Sequence, residues 1–165
     1  MPKIGVFDSG VGGKSVIKAI KAALPELEIE YAEDKKNLPY GSKSPDELYK
    51  LTLPILNALS KNGCEIIVVA CNTVTTTIIE KLRTALSTPL IGMEPMVKPA
   101  AERTKSKVIA VCATPATLAS DRYAWLKKTY AKDVRVLEPD CGDWALMIEN
   151  NELDRKKVRD RIDKV

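Results

Sequence analysis

Short apolar runs alternate along the chain with longer segments in which apolar residues recur every three or four positions. Runs of this kind are typical of strands buried in a sheet, and the longer spacing is typical of amphipathic helices. Helical spacing is found over residues 16–24 and again over residues 78–86. The runs predict strands at residues 3–7, 28–32, 65–70, 89–92, 107–111 and 133–137. This alternation predicts an α/β fold with mostly parallel sheets flanked by helices.

A helix-start motif and a second start of the strand-and-helix pattern show how the chain is organised into lobes. Residues 44–47, with the sequence Ser-Pro-Asp-Glu, have the pattern of a capping box and predict a helix that begins there and ends near Gly63. The strand-and-helix pattern starts again after residue 92. We therefore expect two α/β lobes, at residues 1–92 and 93–165, the second of them incomplete.

The composition is that of a soluble globular protein, with 45% hydrophobic and 29% charged residues. The net charge of +4 is spread along the chain and only 5% of residues are aromatic, so we expect no nucleic-acid partner.

No apolar stretch reaches the roughly 20 residues that cross a bilayer, and the first residues lack the order of a signal peptide, so we expect a cytoplasmic protein without a membrane partner. The four cysteines form no C-x-x-C pair and there is no histidine, so we expect free thiols and no metal site.

The segment VFDSGVGGKS at residues 6–15 follows the first predicted strand and ends like a phosphate-binding loop. Asp8 stands where such a loop needs its first glycine, and its carboxylate would repel phosphate oxygens. A dinucleotide fingerprint fails because Ser15 replaces its third glycine. The loop instead presents Asp8 and Ser9 at the end of a strand, where open α/β sheets bind ligands. A nucleotide-binding module, and a glycine turn that only lets a helix pack closely, are the alternatives.

A second polar segment follows the apolar run EIIVVA at residues 65–70. It places Cys71, Asn72 and Thr73 at the carboxyl end of a buried parallel strand, on the same edge as Asp8. Free amides and the dipole at the start of the next helix favour a carboxylate ligand and lower the pKa of a thiol. Hydroxyls at this helix start come from Thr73, Thr75, Thr76 and Thr77. The alternative is that Cys71 is an inert core residue.

Two more segments bring polar groups to the ends of strands. In DKKNLPYGSKS, the turn formed by Pro39, Tyr40 and Gly41 presents a phenol and backbone amides. In the second lobe, AVCATPATLAS places Cys112 at a strand end, and it places Thr114 and Thr117 before a helix. Neither segment by itself predicts a function.

Together, the segments IGVFDSGVGGKSV, NLPYGSKS, VACNTVTT and IGMEPMVKPA closely resemble the glutamate racemases of the aspartate/glutamate racemase superfamily. The four motifs stand in the family's order, and weaker similarity extends over essentially the whole chain. The resemblance implies two α/β lobes around a cleft, a homodimer, and conversion of L-glutamate to D-glutamate for peptidoglycan synthesis without a cofactor. In this two-base reaction one thiolate removes the α-proton, and a second thiol returns a proton on the opposite face.

The resemblance also assigns roles to individual residues. Cys71 is implied to be the catalytic thiol of the first lobe, with Asp8 steering its protonation. Glu149 resembles an acid that assists the opposite thiol. The implied pocket for glutamate or a similar acidic amino acid is lined by Asp8, Ser9, Pro39, Tyr40, Gly41, Asn72 and Thr73, together with Thr114 and Thr117 of the second lobe. The assignment is chemically sensible, since an α-ammonium group needs an anion and carboxylates need N–H and O–H donors.

The chain departs from the family in one respect. The family's second thiol lies in a Gly-Cys-Thr-His-type motif well downstream, and the sequence contains no such motif. Cys141 matches a cysteine that the family often carries without using it as the base, whereas Cys112 is a conceivable substitute. We therefore expect either a truncated racemase or a shortened homologue. The alternatives are a non-catalytic protein that binds an acidic amino acid, and a racemase for aspartate or a related acid.

Overall fold

The computed structural model describes residues 1–164, so Val165 lies outside the described residues. The chain forms two compact units. Unit 1 is Met1–Glu94, and unit 2 begins at Pro95. Within residues 1–164, no helix has both the length and the apolar character that a membrane crossing requires.

The elements alternate along the chain in the predicted way. The strands are β1 (Lys3–Asp8), β2 (Glu28–Glu33), β3 (Ile66–Val69), β4 (Leu90–Gly92), β5 (Val108–Ala110) and β6 (Arg135–Leu137). The helices are α1 (Gly13–Ala23), α2 (Pro45–Lys61), α3 (Asn72–Ala85), α4 (Val97–Arg103), α5 (Pro115–Leu118), α6 (Asp121–Tyr130), α7 (Trp144–Glu149) and α8 (Arg155–Ile162). Two short 3-10 turns, Lys35–Asn37 and Tyr40–Ser42, lie between β2 and α2.

The sheet of unit 1 has the strand order β2-β1-β3-β4, and its neighbouring strands are parallel. Val6 of the central strand β1 lies between Tyr31 of β2 and Val68 of β3. Every predicted strand is present within two residues of its predicted bounds, which confirms the parallel α/β prediction. Because the strands run in the same direction, their carboxyl ends meet at one edge of the sheet, where β1 ends with Asp8.

Helices α2 and α3 pack against each other and against the sheet. The predicted capping box of α2 is present. Ser44 Oγ accepts from the Glu47 amide at 3.3 Å, and Glu47 Oε2 accepts from the Ser44 amide at 2.8 Å. The core beneath the helices includes Phe7, Leu56 and Leu82, all fully buried. Burial of such side chains stabilises by about 1.5–3 kcal/mol each, so this core holds the strand ends firmly in place.

Unit 2 contains a parallel pair of strands, β5 and β6. Helix α4 packs against β5 and α6, and the core includes Val97, Ile109 and Tyr123. The Tyr123 hydroxyl donates to Glu138 Oε1 at 2.8 Å, and Lys127 Nζ donates to the same oxygen at 2.5 Å. These bonds tie Glu138, the residue after β6, to helix α6.

Candidate functional site

Polar side chains from the end of β1 and the start of α3 meet at the carboxyl edge of the unit 1 sheet. Cys71 lies two residues beyond the end of β3 and directly before α3. The Ala70 amide donates to the Phe7 carbonyl at 2.8 Å, which extends the pairing of the two strands to this edge. Ser9 Oγ and Cys71 Sγ are hydrogen-bonded at 3.4 Å. The segments that carry Asp8 and Cys71 are therefore in direct contact.

The carboxylate of Asp8 is held by the glycine-rich loop that follows it. Asp8 is buried, and its Oδ2 accepts from the backbone amides of Gly10 at 3.2 Å and Gly13 at 3.1 Å. In a phosphate-binding loop such amides point at phosphate oxygens. Here they point at the protein's own carboxylate, so the geometry disfavours the nucleotide-binding alternative.

Close packing makes glycine necessary at position 13. A Cβ atom on Gly13 would lie 2.7 Å from Tyr31 Cε2 and 2.8 Å from Asp8 Cβ, closer than side-chain carbons approach in proteins. The Tyr31 hydroxyl also donates to the Gly10 carbonyl at 2.5 Å. The glycine turn therefore does permit close packing of α1, and it fixes Asp8 as well. Sequence reasoning missed Tyr31, because β2 carries no motif that marks it.

The Cys71 thiol is nearly buried, with 5% of the residue exposed at the N-cap position of α3. Burial raises the pKa of this thiol, and the negative charge of Asp8 raises it further. Hydrogen bonds from Ser9 and from the Val74 amide lower the pKa of the thiol, but by less than burial and Asp8 raise it. The start of α3 was predicted to lower this pKa, and the Val74 amide acts in that direction, but desolvation of the buried thiolate outweighs it and the net shift is upward. The resting group is therefore a protonated thiol, which can donate a proton.

Three of the threonine hydroxyls at the start of α3 are used by the backbone. Thr75 Oγ1 donates at 3.3 Å to a carbonyl at the end of β3. Thr76 Oγ1 and Thr77 Oγ1 donate to carbonyls one turn earlier in the helix, at 2.9 and 2.6 Å. These three hydroxyls at the helix start therefore donate their protons to the protein's own backbone, as helical threonines commonly do. The exposed Asn72 and the buried Thr73 stay the predicted ligand contacts of this segment.

The turn at residues 39–41 lies beside the same edge, but its phenol points into the core. Tyr40 is 2% exposed, and its hydroxyl donates to Asp34 Oδ2 at 2.7 Å. Burial is the main cause of the raised pKa of this phenol, and the Asp34 carboxylate raises it further. The expectation that Tyr40 presents its phenol is therefore wrong. Pro39 is exposed and Gly41 half-buried, and both stay predicted ligand contacts.

Unit 2 carries the remaining predicted residues. Thr114 is the N-cap of α5, where its Oγ1 accepts from the Thr117 amide at 3.4 Å and lies 3.0 Å from Thr117 Oγ1. Cys112 is exposed, whereas Cys141 is buried with its Sγ donating to the Ala113 carbonyl at 3.4 Å. Glu149 is partly exposed at the end of α7. Among residues 1–164, no group of three or more acidic, cysteine or histidine residues is arranged to hold a metal ion.

Comparison with known sequences gives consistent matches. The family model described as Asp/Glu/Hydantoin racemase matches residues 4–164. Glutamate racemase of Herpetosiphon aurantiacus is 42% identical over 159 residues, which cover 96% of this chain and 63% of that protein. Glutamate racemase of Ralstonia pickettii is 44% identical over 140 residues, covering 84% of this chain and 50% of that protein. The chain thus spans 50–63% of the length of these curated relatives.

Solved structures agree with the sequence matches. A crystal structure of Escherichia coli glutamate racemase, in complex with L-glutamate and the activator UDP-MurNAc-Ala, matches with a TM-score of 0.85 and 32% identity. That match covers 91% of this chain and 57% of the E. coli chain. Glutamate racemase of Francisella tularensis in complex with D-glutamate matches with a TM-score of 0.76 and 30% identity, covering 93% of this chain and 58% of that chain.

Proposed function

Because this chain belongs to the Asp/Glu/hydantoin racemase family, we propose that it supplies the Cys71 half of a cofactor-independent racemisation of glutamate. The observation that carries the proposal is the meeting of the Cys71 thiol with Ser9 at the sheet edge where Asp8 is buried. Relatives that are 42–44% identical are glutamate racemases. Two related crystal structures hold L-glutamate and D-glutamate, which supports an acidic amino acid as the substrate.

The proposed chemistry is proton exchange at the α-carbon of glutamate. Cys71 Sγ takes a proton from one face of Cα, or returns one to that face. Removal of this proton leaves negative charge that spreads onto the α-carboxylate, so fixed hydrogen-bond donors at that carboxylate lower the barrier. The exposed Asn72, the first residue of α3, is a suitable donor at this helix N-terminus.

Asp8 has two roles in this proposal. Its carboxylate is the anionic partner for the α-ammonium group of the substrate. Its charge also raises the pKa of the Cys71 thiol. An ammonium group bound beside Asp8 offsets that charge and lowers the pKa of the thiol again. Substrate binding therefore favours the thiolate that removes the proton, while the unliganded protein keeps Cys71 protonated.

Racemisation also needs an acid–base group on the opposite face of the substrate. The family resemblance assigns it to a thiol motif that these 165 residues do not contain. In unit 2, Thr114 and Thr117 are the proposed carboxylate donors, and Glu149 is the proposed assisting acid. A role in peptidoglycan synthesis, a cytoplasmic location and a homodimer are further parts of the proposal. Sedimentation analysis of the purified protein tests the dimer directly.

Incorporation of solvent deuterium at Cα tests the catalytic proposal. The purified chain is incubated with L- or D-glutamate in D2O, and α-deuteration is followed by mass spectrometry. We expect exchange with at least one enantiomer, and we expect Cys71→Ser to abolish it. Cys64→Ser is the matched control, because Cys64 is a buried thiol at the other end of β3. Exchange that persists in Cys71→Ser, or that both variants lose equally, would contradict the role of Cys71.

The non-catalytic alternative is favoured by the burial of Cys71, which is 5% exposed, because burial raises the pKa of the thiol. A binding protein of this kind would show calorimetric binding of glutamate with no deuterium incorporation. Absence of both binding and exchange would contradict both functions. A further alternative is a racemase for aspartate, and competition between glutamate and aspartate for binding tests it. We expect glutamate to bind more tightly than aspartate, and the reverse order would favour an aspartate racemase.

A further inference from the structure

A buried acid outside the predicted site, Asp34, holds the turn that contains Tyr40 and Gly41. Asp34 follows β2 directly and is 9% exposed. Both of its carboxylate oxygens accept from Asn37 Nδ2 at 2.9 Å, and Oδ2 also accepts from the Tyr40 hydroxyl at 2.7 Å. A buried carboxylate needs such partners to be stable. These bonds therefore fix Asn37 and Tyr40 relative to the end of β2.

The Tyr40 side chain, held by Asp34, packs in the core near Cys71. Its ring centroid lies 6.5 Å from that of Phe7, the residue before Asp8. Tyr40, Phe7 and Cys71 belong to one buried cluster, and the turn Tyr40–Ser42 packs against α3. Because the ring is enclosed on these sides, its placement determines where the backbone of the turn lies.

We propose that Asp34 is a positioning residue, which accepts the Tyr40 hydrogen bond and so holds the Tyr40 and Gly41 amides where they bind a carboxylate of the substrate. The inference rests on the proposed function, since that carboxylate belongs to glutamate or a similar acid. A tyrosine hydroxyl has one proton to donate, and here it goes to Asp34. The turn therefore meets a ligand through its backbone N–H groups.

The test compares Asp34→Ala and Tyr40→Phe, which remove opposite ends of one hydrogen bond, with the control Asp46→Ala. The Asp46 side chain on α2 is 80% exposed and pairs with Lys81 at 3.1 Å. Calorimetry gives the dissociation constants of L- and D-glutamate well below the melting temperature. Hydrogen–deuterium exchange gives the protection of the peptide that contains the Tyr40 and Gly41 amides.

We expect Asp34→Ala and Tyr40→Phe each to weaken glutamate binding by about tenfold, the size of one hydrogen bond. Exchange of the Tyr40–Gly41 peptide should become faster in both variants and stay unchanged in Asp46→Ala. The double variant should bind no more weakly than Asp34→Ala, because both changes remove the same hydrogen bond. If Asp34→Ala does not fold, Tyr40→Phe, which removes a single oxygen atom, carries the same test.

A purely structural role for Asp34 would lower the melting temperature and leave the dissociation constant of the folded protein unchanged. That result overturns the inference, and so does equal weakening in Asp46→Ala. If the wild-type chain binds neither enantiomer, the proposed function fails. The exchange measurement then decides the inference by itself: faster exchange at Tyr40 and Gly41 in both variants supports positioning by Asp34, and unchanged exchange overturns it.

Discussion

Replacement of Gly13 by alanine tests how closely the loop around Asp8 is packed. The added Cβ would lie 2.7 Å from Tyr31 Cε2 and 2.8 Å from Asp8 Cβ. The Asp8 Cβ is fixed by the β1 backbone, and the Tyr31 ring is held by its bond to the Gly10 carbonyl. The Gly13 amide also donates to Asp8, so a backbone shift that relieves the contact lengthens this hydrogen bond. We expect Gly13→Ala to destabilise unit 1 and to displace Asp8.

Opposing effects set the size of this change. Forcing a methyl group into a packed site costs about 1–3 kcal/mol, and a weakened hydrogen bond to a buried carboxylate costs about 1 kcal/mol more. Alanine is favoured over glycine in a helix by about 1 kcal/mol, and Gly13 is the first residue of α1. The net expectation is a loss of about 1–3 kcal/mol in the free energy of unfolding of unit 1.

Urea unfolding followed by circular dichroism measures the loss. At a typical slope of about 2 kcal/mol per M, the midpoint should fall by about 0.5–1.5 M. Both tryptophans lie in unit 2, so their fluorescence follows that unit separately. Gly12→Ala is the control, because its Cβ would meet the end of the Asp8 side chain, 3.1 Å from Oδ2, and its midpoint should fall less. A Gly13→Ala protein as stable as wild type, or less affected than Gly12→Ala, would refute the reasoning.

Three further predictions concern charge and helix capping. Asp8→Asn removes the charge that raises the pKa of Cys71, so alkylation of this thiol at a fixed, mildly alkaline pH should become faster; an unchanged pH profile of alkylation would show that Asp8 does not act on the thiol. Ser44→Ala removes the side-chain acceptor of the capping box and should lower the free energy of unfolding in urea by about 1 kcal/mol, whereas an unchanged value would contradict the role of the cap. The hydrogen bond with Lys127 is the chief cause of the lowered pKa of Glu138 in the folded protein. The ionised Glu138 therefore stabilises the folded state at a pH above the pKa that this carboxyl has in the unfolded chain. This stabilisation is lost as the pH falls through the lower pKa of the folded state. The difference in melting temperature between wild type and Glu138→Gln should accordingly shrink as the solution is acidified, and a difference that grows would contradict this sign.

The fold was predictable from the sequence because it depends on local patterns. Apolar runs locate buried strands, and residues 44–47 start α2 with a capping box that involves only near neighbours. Strand ends were harder to predict. Residues 133–134 lie outside β6, although the apolar pattern includes them, since pairing with β5 determines where the strand begins.

The contact between the segments that carry Asp8 and Cys71 was also predictable, because parallel strands present their carboxyl ends at one edge. The roles of neighbouring groups were not. The phenol of Tyr40 was expected to face a ligand, but it bonds Asp34 inside the core. Asp34 itself was overlooked, because the predicted strand ended at residue 32 and only the observed end of β2 at Glu33 places Asp34 directly after a strand, as Asp8 was predicted to be. Tyr31 gave no signal in its own strand.

The sequence by itself determined the order of the elements, the parallel α/β class and the edge at which the polar segments gather, because hydrophobic periodicity and strand direction are properties of neighbouring residues. Only the tertiary structure decided which donors hold Asp8, which way Tyr40 faces and in which direction the pKa of Cys71 moves. Each of these depends on burial and on distances between residues far apart in the chain, such as Ser9 and Cys71. Desolvation and hydrogen bonding act over a few ångströms in space, whatever the separation along the sequence.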